Sequence, residues 1–227
     1  MKKHTKKVWY APYKFESYGQ EEIDAVTECL KAGWLGGQGP KSVEFEKAIA
    51  KRFGKKFGMF VNSGSSACLL AIAGLNLKKG THIITPACTF ATTLAPIIQL
   101  GYKPVFVDVG LTDYVADIDQ VLSAVTNETS ALMLPNLIGN KPDWVKLKAG
   151  LIAMGREDIF LIEDSADTIT ETQITDVSTT SFYASHVITA GGVGGMVMFN
   201  DEKHVTKALQ YRDWGRLGND SEIMSDR

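Results

Sequence analysis

The sequence predicts an α/β protein whose mostly parallel sheet is flanked by helices. Short apolar runs of strand length alternate with segments that have the periodicity of amphipathic helices. Such alternation is typical of strand–helix–strand units, in which helices cover both faces of a parallel sheet. Of the 227 residues, 44% are hydrophobic and 22% are charged, so the chain can bury a core and disorder is excluded.

Two helices are predicted before the first strand. Residues 20–32 and residues 42–53 both carry apolar side chains at helical spacing. A glycine-rich stretch at 33–40 separates them, and Gly54 is a plausible stop for the second helix.

From residue 57 onward, strands and helices alternate without an internal repeat or a low-complexity linker. We therefore expect residues 1–35 to form an N-terminal segment with a helix, and residues 36–227 to form one large domain. The predicted strands are 57–61, 82–85, 104–109, 131–135, 159–162, 179–183 and 195–199. The predicted helices among them are 67–75, 90–100, 118–125, 144–154 and 201–213.

Charge and cysteine content bear on partners and compartment. A net charge of −2 gives no electrostatic reason to expect a nucleic acid or a membrane surface as partner. The basic N-terminus is not followed by an apolar run, so no signal peptide is predicted, and no window suits a membrane helix. Three widely spaced cysteines without CxxC spacing indicate a reduced, cytoplasmic protein, and no metal site is predicted.

The segment Asn62-Ser63-Gly64-Ser65-Ser66-Ala67 lies between a predicted strand and a predicted helix. Small residues at a helix N-terminus let backbone N–H groups approach an anion, which the helix dipole favours. The segment could therefore cradle a phosphate, but an ordinary capped turn explains the same residues.

Two later segments also carry polar groups near predicted strand ends. Glu163-Asp164 could bind a metal, accept a proton or hold a protonated heterocyclic nitrogen, although capping of the next helix is an equal explanation. His186 alone is more often structural than catalytic. The glycine run 191–195 suggests a dinucleotide site, but a strand-like segment follows it where that motif requires a helix.

Taken together and in order, these segments resemble the DegT/DnrJ/EryC1/StrS family of sugar aminotransferases, a branch of the fold-type-I pyridoxal-phosphate (PLP) enzymes. The resemblance covers nearly the whole chain. It implies the large domain of a fold-type-I transferase, and a C-terminal small domain that is missing from these 227 residues. The matching segments are Trp34-Leu35, Gly39-Pro40, Phe45-Glu46, Asn62-Ser63-Gly64-Ser65-Ser66-Ala67, Thr89-Phe90-Ala91-Thr92, Pro104-Val105-Phe106-Val107-Asp108, Ile162-Glu163-Asp164, Ser181-Phe182-Tyr183 and Arg212-Asp213-Trp214-Gly215-Arg216.

The resemblance assigns roles around a pyridoxal or pyridoxamine phosphate cofactor. It implies that the cofactor phosphate is held at a helix N-terminus and that an aromatic ring stacks on the pyridine. Asp164 would pair with the protonated pyridine nitrogen, which keeps the ring an electron sink, and Asp167 would lie near its phenolic oxygen. The phosphate would be held by Gly64, Ser65, Ser66 and Ser181, and the stacking ring would be Phe90.

The lysine that anchors the cofactor in the family's aminotransferases is missing. His186 stands at its position, and no lysine occurs between Lys148 and Lys203. Imidazole still moves protons near neutral pH. The chain therefore resembles the lysine-free sugar 3-dehydrase branch, in which pyridoxamine phosphate is bound without a covalent link. There, a histidine acts as base while the C3 hydroxyl leaves a nucleotide-linked 4-keto-6-deoxyhexose.

Several departures from the family keep other hypotheses open. No cysteine follows Cys88, so the resemblance favours the colitose-pathway subgroup, which regenerates its amine from glutamate, over the iron–sulfur subgroup. The loop at 168–173 is shorter than usual, and the glycine run is one residue longer. The alternatives are a sugar aminotransferase, a non-catalytic fragment or pseudoenzyme, and a nicotinamide-dependent dehydrogenase that only the glycines support. The resemblance also implies a homodimer.

Overall fold

The computed structural model describes residues 19–34 and 38–216 and shows an α/β architecture built around one seven-stranded sheet. The strands are β1 (Phe57–Val61), β2 (His82–Pro86), β3 (Lys103–Val107), β4 (Thr129–Pro135), β5 (Phe160–Asp164), β6 (Val177–Ser181) and β7 (Gly195–Phe199). The helices are α1 (Gln20–Ala32), α2 (Pro40–Arg52), α3 (Gly64–Leu75), α4 (Ala91–Gln99), α5 (Ile118–Ser123), α6 (Trp144–Ala153) and α7 (Glu202–Arg212).

The strand order is β1-β7-β6-β5-β4-β2-β3. All neighbours are parallel except β7, which is antiparallel to β1 and to β6. The carboxyl ends of β4 and β5 and the middle of β6 therefore lie side by side, with Asp164 in register with Pro135 and Thr179. This edge is where parallel α/β sheets bind their ligands.

Helix α3 is the central helix on one face of the sheet. Eight of its twelve residues are buried, and it packs against β6, β7 and α7. A helix that is apolar on nearly all sides is expected in the middle of a core rather than at a surface. Its N-terminus is thereby fixed beside the ends of the central strands.

Hydrophobic clusters fill the space on both faces of the sheet. One cluster joins the strands to α3, α4 and α7, and includes Ile72, Ile83 and Phe199. A second lies under α5 and α6, and a third packs α2 on β7 around Phe53. The sheet is therefore covered by helices on both faces, as the alternating pattern predicts.

Several boundaries differ from those predicted. Helix α3 begins at Gly64 rather than at residue 67, because the side chain of Ser63 caps it and the small residues already belong to its first turn. Strand β6 begins at Val177, two residues before the prediction, since its buried residues are mostly serine and threonine. A 3₁₀ turn at Leu137–Gly139 has no counterpart in the prediction.

Helix α1 forms where it was predicted, but it buries none of its residues against the rest of the described chain. Part of the predicted glycine-rich stretch, residues 35–37, lies outside the described residues, as do the basic N-terminal segment within 1–18 and residues 217–227. Within the described ranges, no helix has both the length and the apolar character that crossing a membrane requires.

Candidate active site

The N-terminus of α3 approaches strands β6 and β7 very closely. A Cβ atom placed on Gly64 would lie 2.8 Å from Cβ of Ser181, and one on Gly195 would lie 2.3 Å from the carbonyl carbon of Ser63. Gly64 thus lies against Ser181 and Ser63 against Gly195, each more than one hundred residues later in the chain. The structure therefore brings together the two segments predicted to bind phosphate.

The first turn of α3 presents a set of hydrogen-bond donors. The Oγ atom of Ser63 accepts the N–H of Ser66 at 3.1 Å, so this N–H is already occupied by the helix cap. The hydroxyl of Ser65 donates to Oγ1 of Thr92 at 3.1 Å, and Oγ of Ser181 accepts the N–H of Tyr183 at 3.2 Å. The N–H groups of a helix's first turn have no partner within the helix, so this end of α3 suits an anion.

Asp164 is a buried carboxylate at the end of β5. It is 8% exposed, and Thr93 donates its hydroxyl hydrogen to Oδ2 at 2.7 Å while Thr179 donates to Oδ1 at 3.2 Å. Burial raises the pKa of Asp164, and the hydroxyl donors oppose that increase. Among the described residues, no lysine, arginine or histidine forms an ion pair with it. A buried carboxylate with only neutral donors is suited to a cationic ligand.

A cleft opens over Asp164 at the carboxyl ends of β4 and β5. It is lined by the aromatic ring of Phe90, by Thr93 and by Asn136, as well as by Asp164 and Asp167. The Phe90 side chain is 69% exposed at the N-terminal end of α4, so its ring is available for stacking. A flat cationic ring above Asp164 fits this lining.

His186 lies beside Asp167, which is one of the residues that line this cleft. Nε2 of His186 lies 3.9 Å from Oδ1 of Asp167, while Oδ2 of Asp167 accepts the N–H of Ile138 at 3.1 Å. The imidazole is also near the ring of Tyr183, with 6.0 Å between centroids. Among the described residues, Nδ1 of His186 is buried without a hydrogen-bond partner. An imidazole held in this way can exchange a proton with a bound molecule.

Two lysines, Lys203 and Lys55, have partners of their own among the described residues. Lys203 is exposed at the start of α7 and pairs with Asp201 at 2.9 Å. Lys55 is buried, but its Nζ atom donates to the carbonyl oxygen of Thr172 and to Oγ1 of Thr175 at 3.0 Å. Desolvation lowers the pKa of Lys55 to about 8. Its contacts place it at the short loop after Asp167.

That short loop is tied to a buried carboxylate behind the site. Glu163 is fully buried and accepts hydrogen bonds from Asn136, Thr172 and Ser178 at 2.7 to 2.8 Å. Lys141 adds a second anchor, because its Nζ atom contacts residues 170–172 at 2.7 to 3.1 Å. The loop is thus held from two sides although it is short.

Several residues at the site carry no sequence signal of their own. Thr93 and Thr179 contact Asp164, and the sulfur of Cys68 lies 3.5 Å from Oγ1 of Thr179. Asn136 links Glu163 to Ser165 through its amide nitrogen, at 2.8 and 2.5 Å. These residue types are common in cores, so only the pairing of β5 with β4 and β6 reveals them. The described residues contain no grouping of three or more histidine, cysteine or acidic side chains suited to a metal ion.

The fold and the site define the class of protein. The chain belongs to the DegT/DnrJ/EryC1/StrS aminotransferase family, whose sequence description matches residues 16–226. The mostly parallel sheet with flanking helices is that of the large domain in fold-type-I PLP-dependent aminotransferases.

Individual relatives point to enzymes of nucleotide sugars. The chain is 38% identical over 193 residues to dTDP-4-dehydro-2,6-dideoxy-D-glucose 3-dehydratase of Saccharopolyspora spinosa, covering 78% of this chain and 41% of that protein. It is 28% identical over 213 residues to GDP-perosamine synthase of Escherichia coli O157:H7, covering 91% and 57%. The chain thus spans about half the length of these curated relatives.

Among solved structures, the chain is similar to GDP-4-keto-6-deoxymannose-3-dehydratase with a trapped PLP-glutamate geminal diamine. The two have a TM-score of 0.78 and 30% sequence identity, with 90% of this chain and 55% of that chain covered. The comparisons therefore support both the family and the sheet topology.

Proposed function

We propose that this chain is the cofactor-binding part of a PLP/PMP-dependent enzyme that removes the C3 hydroxyl of a nucleotide-linked 4-keto-6-deoxyhexose. The observation that carries the proposal is the approach of His186 to Asp167, a residue that lines the cleft. By the sequence resemblance, His186 takes the position of the family's lysine. Relatives named as sugar 3-dehydratases support the reaction class. Because the chain spans about half of their length, the activity is proposed for the whole protein.

The buried polar groups fit a pyridine cofactor bound without a covalent link. Asp164 offers a desolvated carboxylate to the ring nitrogen, and Phe90 offers its exposed ring for stacking. The phosphate is held by the first turn of α3 and by the hydroxyl of Ser181. When bound, the cofactor supplies an amine that condenses with a ketone and a ring that accepts electrons.

His186 moves the proton in this proposal. Its Nε2 atom lies 3.9 Å from Oδ1 of Asp167 and would take up or release the proton there. Asp167 is itself held by the N–H of Ile138, so the carboxylate keeps its orientation while the proton moves. By the resemblance, His186 takes the position of the family's lysine, so the residues here would hold the cofactor without a covalent link.

Assembly and location belong to the same proposal. A homodimer follows from the family resemblance, and the exposed apolar side chains of α1, which include Ile23, Val26 and Leu30, suit burial against a second copy. A cytoplasmic location agrees with three cysteines that form no disulfide within the described residues.

The test is a product assay with GDP- and dTDP-linked 4-keto-6-deoxyhexoses, pyridoxal phosphate and glutamate. Replacement of the C3 hydroxyl by hydrogen lowers the mass of the keto sugar by one oxygen atom and turns C3 into a methylene, which identifies the product by NMR. The two electrons come from glutamate, which leaves as 2-oxoglutarate and ammonia. His186→Asn should lose this product by about 100-fold or more, since a positioned acid–base group contributes 10² to 10⁴ in rate. An amino sugar as product would support an aminotransferase instead.

A further inference from the structure

We propose that Thr93 and Thr179 are positioning residues that hold the Asp164 carboxylate ionised and oriented toward the cofactor ring. The role toward the cofactor rests on the proposed function. The coupling between the hydroxyls and the carboxylate concerns only this chain's own residues. It can therefore be tested without any cofactor.

The geometry places one hydroxyl on each oxygen of the carboxylate. Thr93 reaches Oδ2 at 2.7 Å from the first turn of α4, and Thr179 reaches Oδ1 at 3.2 Å from β6. Both threonine side chains are fully buried, so water cannot replace them. Thr93 follows Phe90 by three residues, and its N–H donates to the carbonyl oxygen of Phe90 at 3.0 Å. The ring of Phe90 and the hydroxyl donor of Thr93 therefore lie within one turn of the same chain segment.

The two hydroxyls oppose the effect of burial. Desolvation favours the neutral form of a carboxyl group, whereas hydrogen bonds donated to the charged form favour the anion. A neutral carboxyl at this position could not hold a pyridine nitrogen in its protonated form. The donors therefore keep the negative charge where a cationic ring requires it.

The other ionisable groups near Asp164 either supply less of this stabilisation than the threonines or oppose it. Asp167, which follows β5, is a second acid and raises the pKa of Asp164 by charge repulsion. Cys68 of α3 donates a hydrogen bond, but burial raises the pKa of its thiol, so it stays neutral. His186 lies beside Asp167. Of the groups that lower the pKa of Asp164, the two threonine hydroxyls have the largest effect.

The experiment compares the unfolding equilibrium constants of Thr93→Val and wild type, without cofactor, from pH 4 to pH 7.5. Valine keeps the shape of threonine and removes only the donor. We expect the unfolding constant of Thr93→Val divided by that of wild type to rise about tenfold over this pH range. The reason is that the variant loses stabilisation of the Asp164 anion but not of the neutral acid. Thr93→Ser should restore the wild-type pH dependence.

Two further variants separate this role from simple packing. Thr180→Val is the matched control, because Thr180 is a buried residue of the same strand as Thr179 whose hydroxyl donates to the carbonyl oxygen of Ser165. Its ratio should not change with pH. In an Asp164→Asn background, the effect of Thr93→Val on the unfolding constant should no longer depend on pH. A pH-independent ratio for Thr93→Val in the wild-type background would overturn the proposal.

Binding of pyridoxamine phosphate then tests the role toward the cofactor. We expect Thr93→Val to weaken its affinity about tenfold, with rescue by Thr93→Ser. A pH-dependent ratio together with no binding of pyridoxamine phosphate to wild type would uphold the coupling and reject the proposed function. Unchanged affinity in Thr93→Val would overturn the role toward the cofactor.

Discussion

Lys55 should make the stability of the chain depend on pH in a way that one substitution removes. Its Nζ atom is buried and donates to the carbonyl oxygen of Thr172 and to Oγ1 of Thr175. Desolvation lowers its pKa from 10.5 to about 8, although the nearby charges of Glu163 and Asp176 act in the opposite direction. The perturbation is Lys55→Met, which keeps an unbranched side chain and removes the charge.

The sign and the size follow from the two pKa values. Between pH 8 and pH 10.5 the unfolded chain binds more protons at Lys55 than the folded chain does, so the free energy of unfolding rises with pH. A shift of about 2.5 pKa units corresponds to about 3.4 kcal/mol, of which about 2.5 kcal/mol is gained between pH 7 and pH 10. This gain should be present in wild type and absent from Lys55→Met.

The assay is urea denaturation followed by tryptophan fluorescence, at steps of pH from 7 to 10. The result is read as the difference between wild type and variant, because burial raises the pKa values of Cys68 and Tyr102, which lowers the stability of both proteins at high pH. Lys56→Met, at the exposed neighbouring lysine, is the matched control and should follow wild type. A difference between wild type and Lys55→Met that stays constant with pH would refute the reasoning.

Four further substitutions, one of them a control, test the site. Asp164→Asn removes a desolvated charge, so it should raise the free energy of unfolding of the cofactor-free chain near pH 7 by about 1–3 kcal/mol. It should also weaken the binding of pyridoxamine phosphate about tenfold or more. A variant that is less stable than wild type in denaturation would contradict this. Gly64→Ala should lower the free energy of unfolding by about 1–3 kcal/mol and abolish cofactor binding, because its Cβ would lie 2.8 Å from Cβ of Ser181. Unchanged binding in a fluorescence titration would count against the phosphate site. Ser63→Ala and Asp143→Ala remove the caps of α3 and α6, and each should lower the free energy of unfolding by about 1 kcal/mol. Only Ser63→Ala should weaken cofactor binding. Equal effects of the two variants on binding would argue against a site at α3.

The sequence predicted the sheet and its helices because periodicity and turn residues agree locally. Apolar runs such as residues 131–135 read directly as buried strands, and Gly54 marks the end of the second helix. The sequence pattern places the start of β6 two residues too late. Its buried serine and threonine side chains are stabilised by hydrogen bonds to β5, which the local pattern does not show.

The candidate site was predictable only in part, for the same reason. Phe90, Asp164 and His186 belong to segments that resemble a family, and the structure places all three around one region. Thr93 and Lys55 contact groups more than seventy residues away in sequence, and their residue types are ordinary. Long-range contacts of this kind arise from strand order, so they emerge only when the sheet is assembled.

The left-handed backbone of Ile138 was equally invisible in the sequence. Its φ of 49° is unusual for a β-branched residue, and glycine or asparagine is the ordinary signal for that conformation. The conformation accompanies the hydrogen bond from its N–H to Asp167, so tertiary contacts override local preference there.

The central claim is that His186 replaces the lysine and leaves the cofactor free of any covalent link. It is tested most directly by titrating the chain with pyridoxal and pyridoxamine phosphate, reducing with borohydride, and measuring the intact mass. We expect saturable binding of pyridoxamine phosphate and no site-specific adduct after reduction with pyridoxal phosphate. An adduct that maps to one lysine of this chain would contradict it and restore an aminotransferase.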